Sequence, residues 1–231
     1  DMLATIRSRV RRVALKMPSV EEVTDLLVTR DGIDRKLALT VAAEAQSHIG
    51  MARRLATSTD ARGRRNETLK SALAIDSVSS AMYTAETWLE LAKKDAAALS
   101  AERDEQELHD LKVMLGVQGE DRVPPHVRAD IRNLEEAQKK RGTRSMRDGL
   151  DRILVDLLSL YRDVMTIQLG TNSALINAEL EPQIRVAAQA STEPQTIQKI
   201  EAINLARKRI DSNVRDLVAL EALAVSLRIK K

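Results

Sequence analysis

The sequence predicts an all-α protein, on three observations. Gly and Pro number 8 and 5 among 231 residues, Phe is absent and aromatics make up 1%. Charged residues reach 31%, and the chain is rich in the Ala, Leu, Glu, Lys and Arg that suit helices and poor in the residues that fill sheets. Between Leu150 and Met165 the apolar residues fall at helical spacing without a break, the mark of an amphipathic helix.

Composition sets further bounds. A chain of 231 residues buries roughly 70% of its unfolded surface, enough for one or two cores. Cysteine is absent, which excludes disulfides and thiolate metal sites and fits the cytoplasm. No apolar run is long enough to span a membrane. Neither a signal-peptide core nor a transit-peptide pattern follows Met2. A net charge of +3 is too small to imply a nucleic-acid partner.

Residues 1–16 hold the one candidate strand, where Val13 and Leu15 alternate with Arg12 and Lys16. The helices begin at Pro18-Ser19-Val20-Glu21-Glu22, where Ser19 and Glu22 can form a capping box. Val23, Leu26 and Leu27 give that helix one apolar face, and Asp31-Gly32 ends it. Asp34 can cap a second helix carrying Leu37, Val41 and Ala45. A third opens near Gly50 with Met51 and Leu55, so residues 17–58 read as a small bundle. Longer helices follow. Thr59-Asp60 can cap one with Leu69 and Leu73. Asp76-Ser77 can cap another with Val78, Met82, Ala85, Leu89 and Ala92 on a face, running into the charged stretch 93–112. Gly116, Gly119 and Pro124-Pro125 mark 116–125 as a loop, and a basic segment, 126–149, leads into the helix from Leu150. Gly170-Thr171-Asn172 ends that helix and Thr192-Glu193-Pro194 starts the next. The last helix, from Val214 to about Leu227, is apolar over more than half its circumference and is expected to be buried between other helices. No internal repeat is found.

Motifs for self-contained chemistry are missing. There is no P-loop Gly-x-x-x-x-Gly-Lys-Ser/Thr, no Gly-x-Ser-x-Gly and no Ser/His/Asp arrangement. His48, His109 and His126 lie far apart without metal-ligand spacing, so no metal site is expected. Tyr161-Arg162-Asp163 falls on the amphipathic helix with Tyr161 on its apolar face, which favours packing over catalysis. Lys139, Lys140, Arg141, Arg144 and Arg147 form a basic run with no acid between them. Such a run can meet nucleic-acid phosphates, although without aromatic platforms a solvated helix face is the simpler reading.

Thr5-Ile6-Arg7-Ser8-Arg9-Val10 resembles the Ser-Arg-Cys box that closes the nucleotide-binding domain of clamp-loader subunits. Ser8-Arg9 match it, and Val10 stands where that family has Cys, as a similarly small buried side chain. Three further stretches resemble the delta-prime type found in high-GC Gram-positive bacteria. They are Ser47 to Ala56, Arg141 to Asp151 continuing to Tyr161-Arg162-Asp163, and Asn213-Val214 with Ala219-Leu220-Glu221-Ala222-Leu223.

The resemblance implies the back two-thirds of such a subunit, without its nucleotide-binding half. Residues 1–16 would end the AAA+ domain as a short strand remnant, 17–68 would be a three-helix lid and 69–231 a helical collar that builds the ring. Arg9, with Ser8 beside it, would reach in trans to ATP and Mg bound by the neighbouring subunit. A guanidinium supplied this way stabilises the transferring phosphoryl group and is worth about 10³–10⁵ in rate. Arg53 would hold the place of a second nucleotide-sensing arginine. The chain itself would bind no cofactor and have no intrinsic enzyme activity. The partners implied are the motor (gamma/tau) and delta subunits, and through them the sliding clamp and primed DNA, in the cytoplasm. A self-contained helical adaptor that binds a partner helix accounts equally for the amphipathic helices, but not for Arg-Ser-Arg or the lid-to-collar order. A helical enzyme has no motif behind it.

Overall fold

The structure, a computed structural model, describes residues 9–11, 13, 16–116 and 125–228. Among these every regular element is helical, so the all-α expectation holds. The candidate strand at 1–16 falls largely outside the described residues. Those described there (Arg9, Val10, Arg11, Val13 and Lys16) lie in a turn, a bend or irregular backbone rather than a strand. The chain forms two compact units that divide between Ala61 and Arg62, whereas the sequence reading drew its line between 68 and 69.

The first unit is built from α1 (Val20–Asp31), α2 (Arg35–Glu44) and α3 (Ile49–Thr57). The capping box at α1 forms as expected: the Ser19 amide donates to Glu22 at 2.7 Å and the Glu22 amide donates to Ser19 Oγ at 3.1 Å. Gly32 takes φ 65°, a left-handed conformation that costs glycine nothing, and the following amide of Ile33 donates back to Leu27. Asp34 caps α2 by accepting from the amides of Lys36 and Leu37. Gln46 and Ser47, both at positive φ, then turn the chain into α3. The core of this unit is small-residue packing: Ala38, Ala42, Ala45, Ala52 and Ala56 set against Val23, Leu27, Val41 and Leu55. Alanines at i, i+4 and i+7 along α2 let neighbouring backbones approach closely and keep the contact free of voids. Leu26 is only half-buried.

α4 (Thr59–Leu73) begins in the first unit and runs on into the second, which continues with α5 (Val78–Met114) and α6 (Pro125–Gln168). A 3₁₀ turn (Ala178–Leu180) precedes α7 (Glu181–Gln189), α8 (Glu193–Asp211) and α9 (Asp216–Leu227). Ser58, rather than Thr59-Asp60, caps α4 by accepting from the Ala61 amide at 3.1 Å. Ser77 caps α5 as expected. The amphipathic stripe of α6 packs as its spacing predicts, with Leu150, Ile153, Leu154, Leu157, Tyr161 and Val164 all buried.

Two expectations are extended. Of the expected α5 stripe, Ala85 and Ala92 are buried and Met82 and Leu89 pack against the core, while Val78 is half exposed at the start of the helix; Ala81 and Trp88 complete the buried face. Alanine at three of those positions brings the neighbouring helices near enough to enclose Trp88, whose Nε1 donates to Ser71 Oγ at 3.0 Å. Residues 126–149 are not a mere lead-in: α6 is one helix of 44 residues from Pro125 onward. That stretch is made of good helix formers. It runs antiparallel to α5, so Gly149 faces Ala92 and Gln138 and Arg141 face Asp104. Its thin apolar line of Val127, Ile131 and Leu134 is enough for one neighbour but too sparse to announce a core helix.

Candidate functional surfaces

Arg9 lies in a turn and is solvent-exposed, while Ser8 lies outside the described residues. Val10 is 46% exposed and belongs to neither core, because no described element packs over it. The expectation of a small buried side chain at that position is therefore corrected.

Arg53 projects from the exposed face of α3. Its Nε lies 3.3 Å from Asp31 Oδ1, a carboxylate that also takes Arg30 Nη2 at 2.7 Å. The hydrogen bond from Arg30, with the nearby charge of Arg53, holds the Asp31 carboxyl below the usual carboxylate range. At the start of the same helix, His48 caps α3: its Nδ1 accepts from the Met51 amide at 3.1 Å. That role for His48 went unread, because imidazole is rarer than Ser, Thr, Asp or Asn at such positions. His109 is exposed, and the His126 side chain lies outside the described residues. No group of three or more potential metal ligands occurs among the described residues.

The basic run lies on α6. Its members do not share one environment. Arg141 Nη2 reaches Asp104 and Glu107 on α5, each at 2.5 Å, and Arg103 Nε approaches Glu107 at 2.8 Å. Those guanidinium groups, Arg141 foremost, pull the Glu107 carboxyl down to about 2. Lys139, Lys140 and Arg144 are exposed, and Arg147 is half-buried. Lys140, Arg144 and Arg147 fall at i, i+4 and i+7, so they share a face of the helix.

A polar network inside the second unit escaped the sequence reading. Asp163 is fully buried and accepts from the Ile176 amide at 3.0 Å, the Asn177 amide at 2.7 Å and Asn177 Nδ2 at 2.8 Å. Asn177 Nδ2 also donates to Ser159 Oγ at 3.1 Å, and Arg65 joins Asn177 to Asp156. Burial pushes the Asp156 carboxyl upward, opposed by Arg65 beside it. Every acceptor in this group faces a structural donor, so it fastens the turn before α7 rather than presenting a reactive group. Tyr161 is buried as expected, its hydroxyl raised by desolvation, with Lys199 Nζ 5.3 Å from the ring centroid.

The last feature is on α9. Ala219, Leu220, Leu223, Ala224 and Leu227 are buried against α5 and α8. Val218 and Val225 of α9 remain 47% and 38% exposed, Val214 just before the helix 38% and Leu205 of α8 46%. The last helix is thus buried between two others, as its apolar circumference predicts, with Val218 and Val225 left on its open side. No helix among the described residues is long and apolar enough to cross a membrane.

No family model and no solved structure matches the chain. The chain is similar to the DNA polymerase III subunit delta' of Bacillus subtilis (strain 168), with 36% identity over 80 residues. Those residues are 35% of this chain and 23% of the relative, so the chain spans less than a quarter of the length of the curated protein it matches. Over that stretch the chain has a delta-prime-like relationship to a clamp-loader subunit.

Proposed function

We propose that the chain is the lid and collar portion of a delta-prime-type clamp-loader subunit. The observation that carries this reading is the 36% identity over 80 residues to a bacterial delta' subunit. In this reading residues 17–68 are the lid and 69–231 the collar. The collar packs against the collars of the motor (gamma/tau) and delta subunits, and the ring so formed loads the sliding clamp onto primed DNA. The apolar residues left exposed on α9 support the packing role: Val218 and Val225, seven residues apart, share a side of the helix that a neighbouring helix can cover, with Val214 just before its start.

Arg9 is the catalytic residue of the proposal, acting on a neighbour's nucleotide with Ser8 beside it. Its exposure supports a reach across a subunit boundary. The guanidinium would neutralise charge on the transferring phosphoryl oxygens of ATP, whose Mg the neighbour also holds. Arg53 is the weaker nucleotide-sensing candidate, because Asp31 already engages it. Lys139, Lys140, Arg144 and Arg147 are the phosphate-contacting candidates for primed DNA, while Arg141 is held by two carboxylates.

The test is size-exclusion chromatography with light scattering, mixing this chain with motor and delta subunits of the same organism. A single complex of roughly pentameric mass is expected, with Val218→Glu/Val225→Glu preventing it while the helical content is unchanged. In the full-length subunit, Arg9→Ala should leave assembly intact and lower ATP turnover of the complex by about 10³ or more. If the full-length protein elutes apart from both partners, the clamp-loader reading fails and a helical adaptor takes its place.

A further inference from the structure

A cavity of about 480 Å³ opens between the start of α8 and the end of α9, lined among others by Gln195, Gln198, Lys199, Val225 and Arg228. Its charge is one-sided: two cations line it and, among the described residues, no Asp or Glu does. Lys199 is 9% exposed, and among the described residues it takes part in no ion pair. Its Nζ lies over the face of Tyr161, 5.3 Å from the ring centroid. Its aliphatic stem is buried while Nζ keeps access to the cavity, and partial desolvation lowers its proton affinity. A residue kept in that condition is explained if an anion completes its environment.

The donors available define the ligand. Ser191 and Ser226 line the cavity but already donate to the carbonyls of Ala187 at 2.7 Å and Ala222 at 2.9 Å. Gln195 commits its Oε1 to the Thr192 amide and keeps its NH₂ group. Lys199, Arg228 and the amide groups of Gln195 and Gln198 therefore offer a point charge, a planar fork and neutral donors around one space. Several donors with a charge of +2 suit a tetrahedral dianion with many acceptor oxygens better than a single carboxylate. The apolar wall of Ala190, Ala202 and Val225 leaves room for a short organic body.

We propose that this cavity is a binding site for a small phosphate-bearing molecule, held by Lys199 and Arg228. The site does not involve Arg9; it shares Val225 with the α9 face that the reading above gives to a neighbouring helix. Lys199→Met keeps most of the side-chain length and removes the charge. In anion-free buffer this variant should melt close to the unchanged chain, because the buried part it replaces is the apolar stem.

The experiment is thermal unfolding of the whole chain with inorganic phosphate, pyrophosphate or acetate at matched ionic strength. Phosphate and pyrophosphate should raise the melting temperature by about 2 °C or more as they saturate the site. Lys199→Met should lose that rise, and Arg228→Gln should need roughly tenfold more anion for it. Three results overturn the proposal: no rise in the unchanged chain, an equal rise in Lys199→Met, or an equal rise with acetate. Arg228→Gln, on a partly exposed residue at the end of α9, supplies the decision if Lys199→Met does not fold.

Discussion

Arg65, on α4, donates from Nη2 to the side-chain oxygen of Asn177 at 2.5 Å, across 112 residues of sequence. The same guanidinium donates from Nε to Asp156 at 2.9 Å. One side chain thereby ties the first helix of the second unit to α6 and to the turn before α7. Asn177 can hold Arg65 only because Asp163 orients it, accepting from both its backbone and its side-chain amide.

Removing Asp163 would strand three donors in a fully buried place: the amides of Ile176 and Asn177 and the Asn177 NH₂ group. Asp163→Ala should therefore destabilise the chain by about 3 kcal/mol or more, since each unsatisfied buried donor carries its own desolvation penalty. Urea unfolding checks this. A loss below about 1 kcal/mol would show that water replaces the carboxylate and that the turn is not fastened by it.

The Arg65–Asp156 pair makes a pH-dependent prediction. Burial raises the folded-state proton affinity of Asp156, and Arg65 counters that. A raised carboxyl favours folding while protonated, and the contribution is lost as pH climbs from the unfolded value through the folded one. Arg65→Met removes the counter-charge and raises the folded value further. Its stability deficit should thus be larger at pH ~7 than at pH ~4, and adding Asp156→Asn should abolish the difference. A deficit independent of pH would mean that Arg65 acts by packing alone.

Local signals were legible where the partners are near in sequence. The Ser19–Glu22 and Ser77–Ser80 caps are three residues apart, and the stripe from Leu150 to Val164 lies on one helix, so spacing alone finds them. The Arg65–Asn177–Asp163 group was not legible, because nothing about an Asn in a loop marks it as the receptor of a distant guanidinium. The start of α6 was missed for another reason: a helix with one partner needs only a thin apolar line. The burial of α9 was legible from its apolar circumference, but which of its side chains stay open was not, because composition shows which side chains avoid water and not where the neighbouring helices lie. For the candidate site, Arg9 is set apart from other arginines by the Ser-Arg resemblance alone; its exposed turn is shared by many surface residues.

Glu107 predicts acid behaviour of the α5–α6 pair. Its carboxyl, held by Arg141 and Arg103, lies at about 2, against 4.5 when free. A depressed carboxyl stabilises the fold at pH above the unfolded value, and that contribution fades as pH falls from 4.5 through about 2. Glu107→Gln should therefore flatten the acid limb of the stability curve between those values without altering it near neutrality in shape. Carboxyl-carbon NMR gives the direct check: a Glu107 resonance titrating near 4.5 would remove the proposed grip of Arg141.

Gly149 tests how closely α5 and α6 are packed. A Cβ placed there would meet Ala92 Cβ at 3.4 Å and its backbone at 3.5 Å, an ordinary contact with no space behind it. Gly149→Ala gains about 1 kcal/mol of helix propensity and adds a methyl group that just fits, so it should be neutral to stabilising. Gly149→Leu adds three more carbons against the Ala92 backbone, which cannot yield without moving a helix, and should cost about 1–3 kcal/mol. Shortening the opposing residue is the control. Ala92→Gly should recover part of the Gly149→Leu loss despite its own propensity cost, because it alone removes the Cβ that the leucine meets. If Gly149→Leu is as stable as the alanine variant, the two helices are not held at this crossing, and the Ala92–Gly149 contact does not set their spacing.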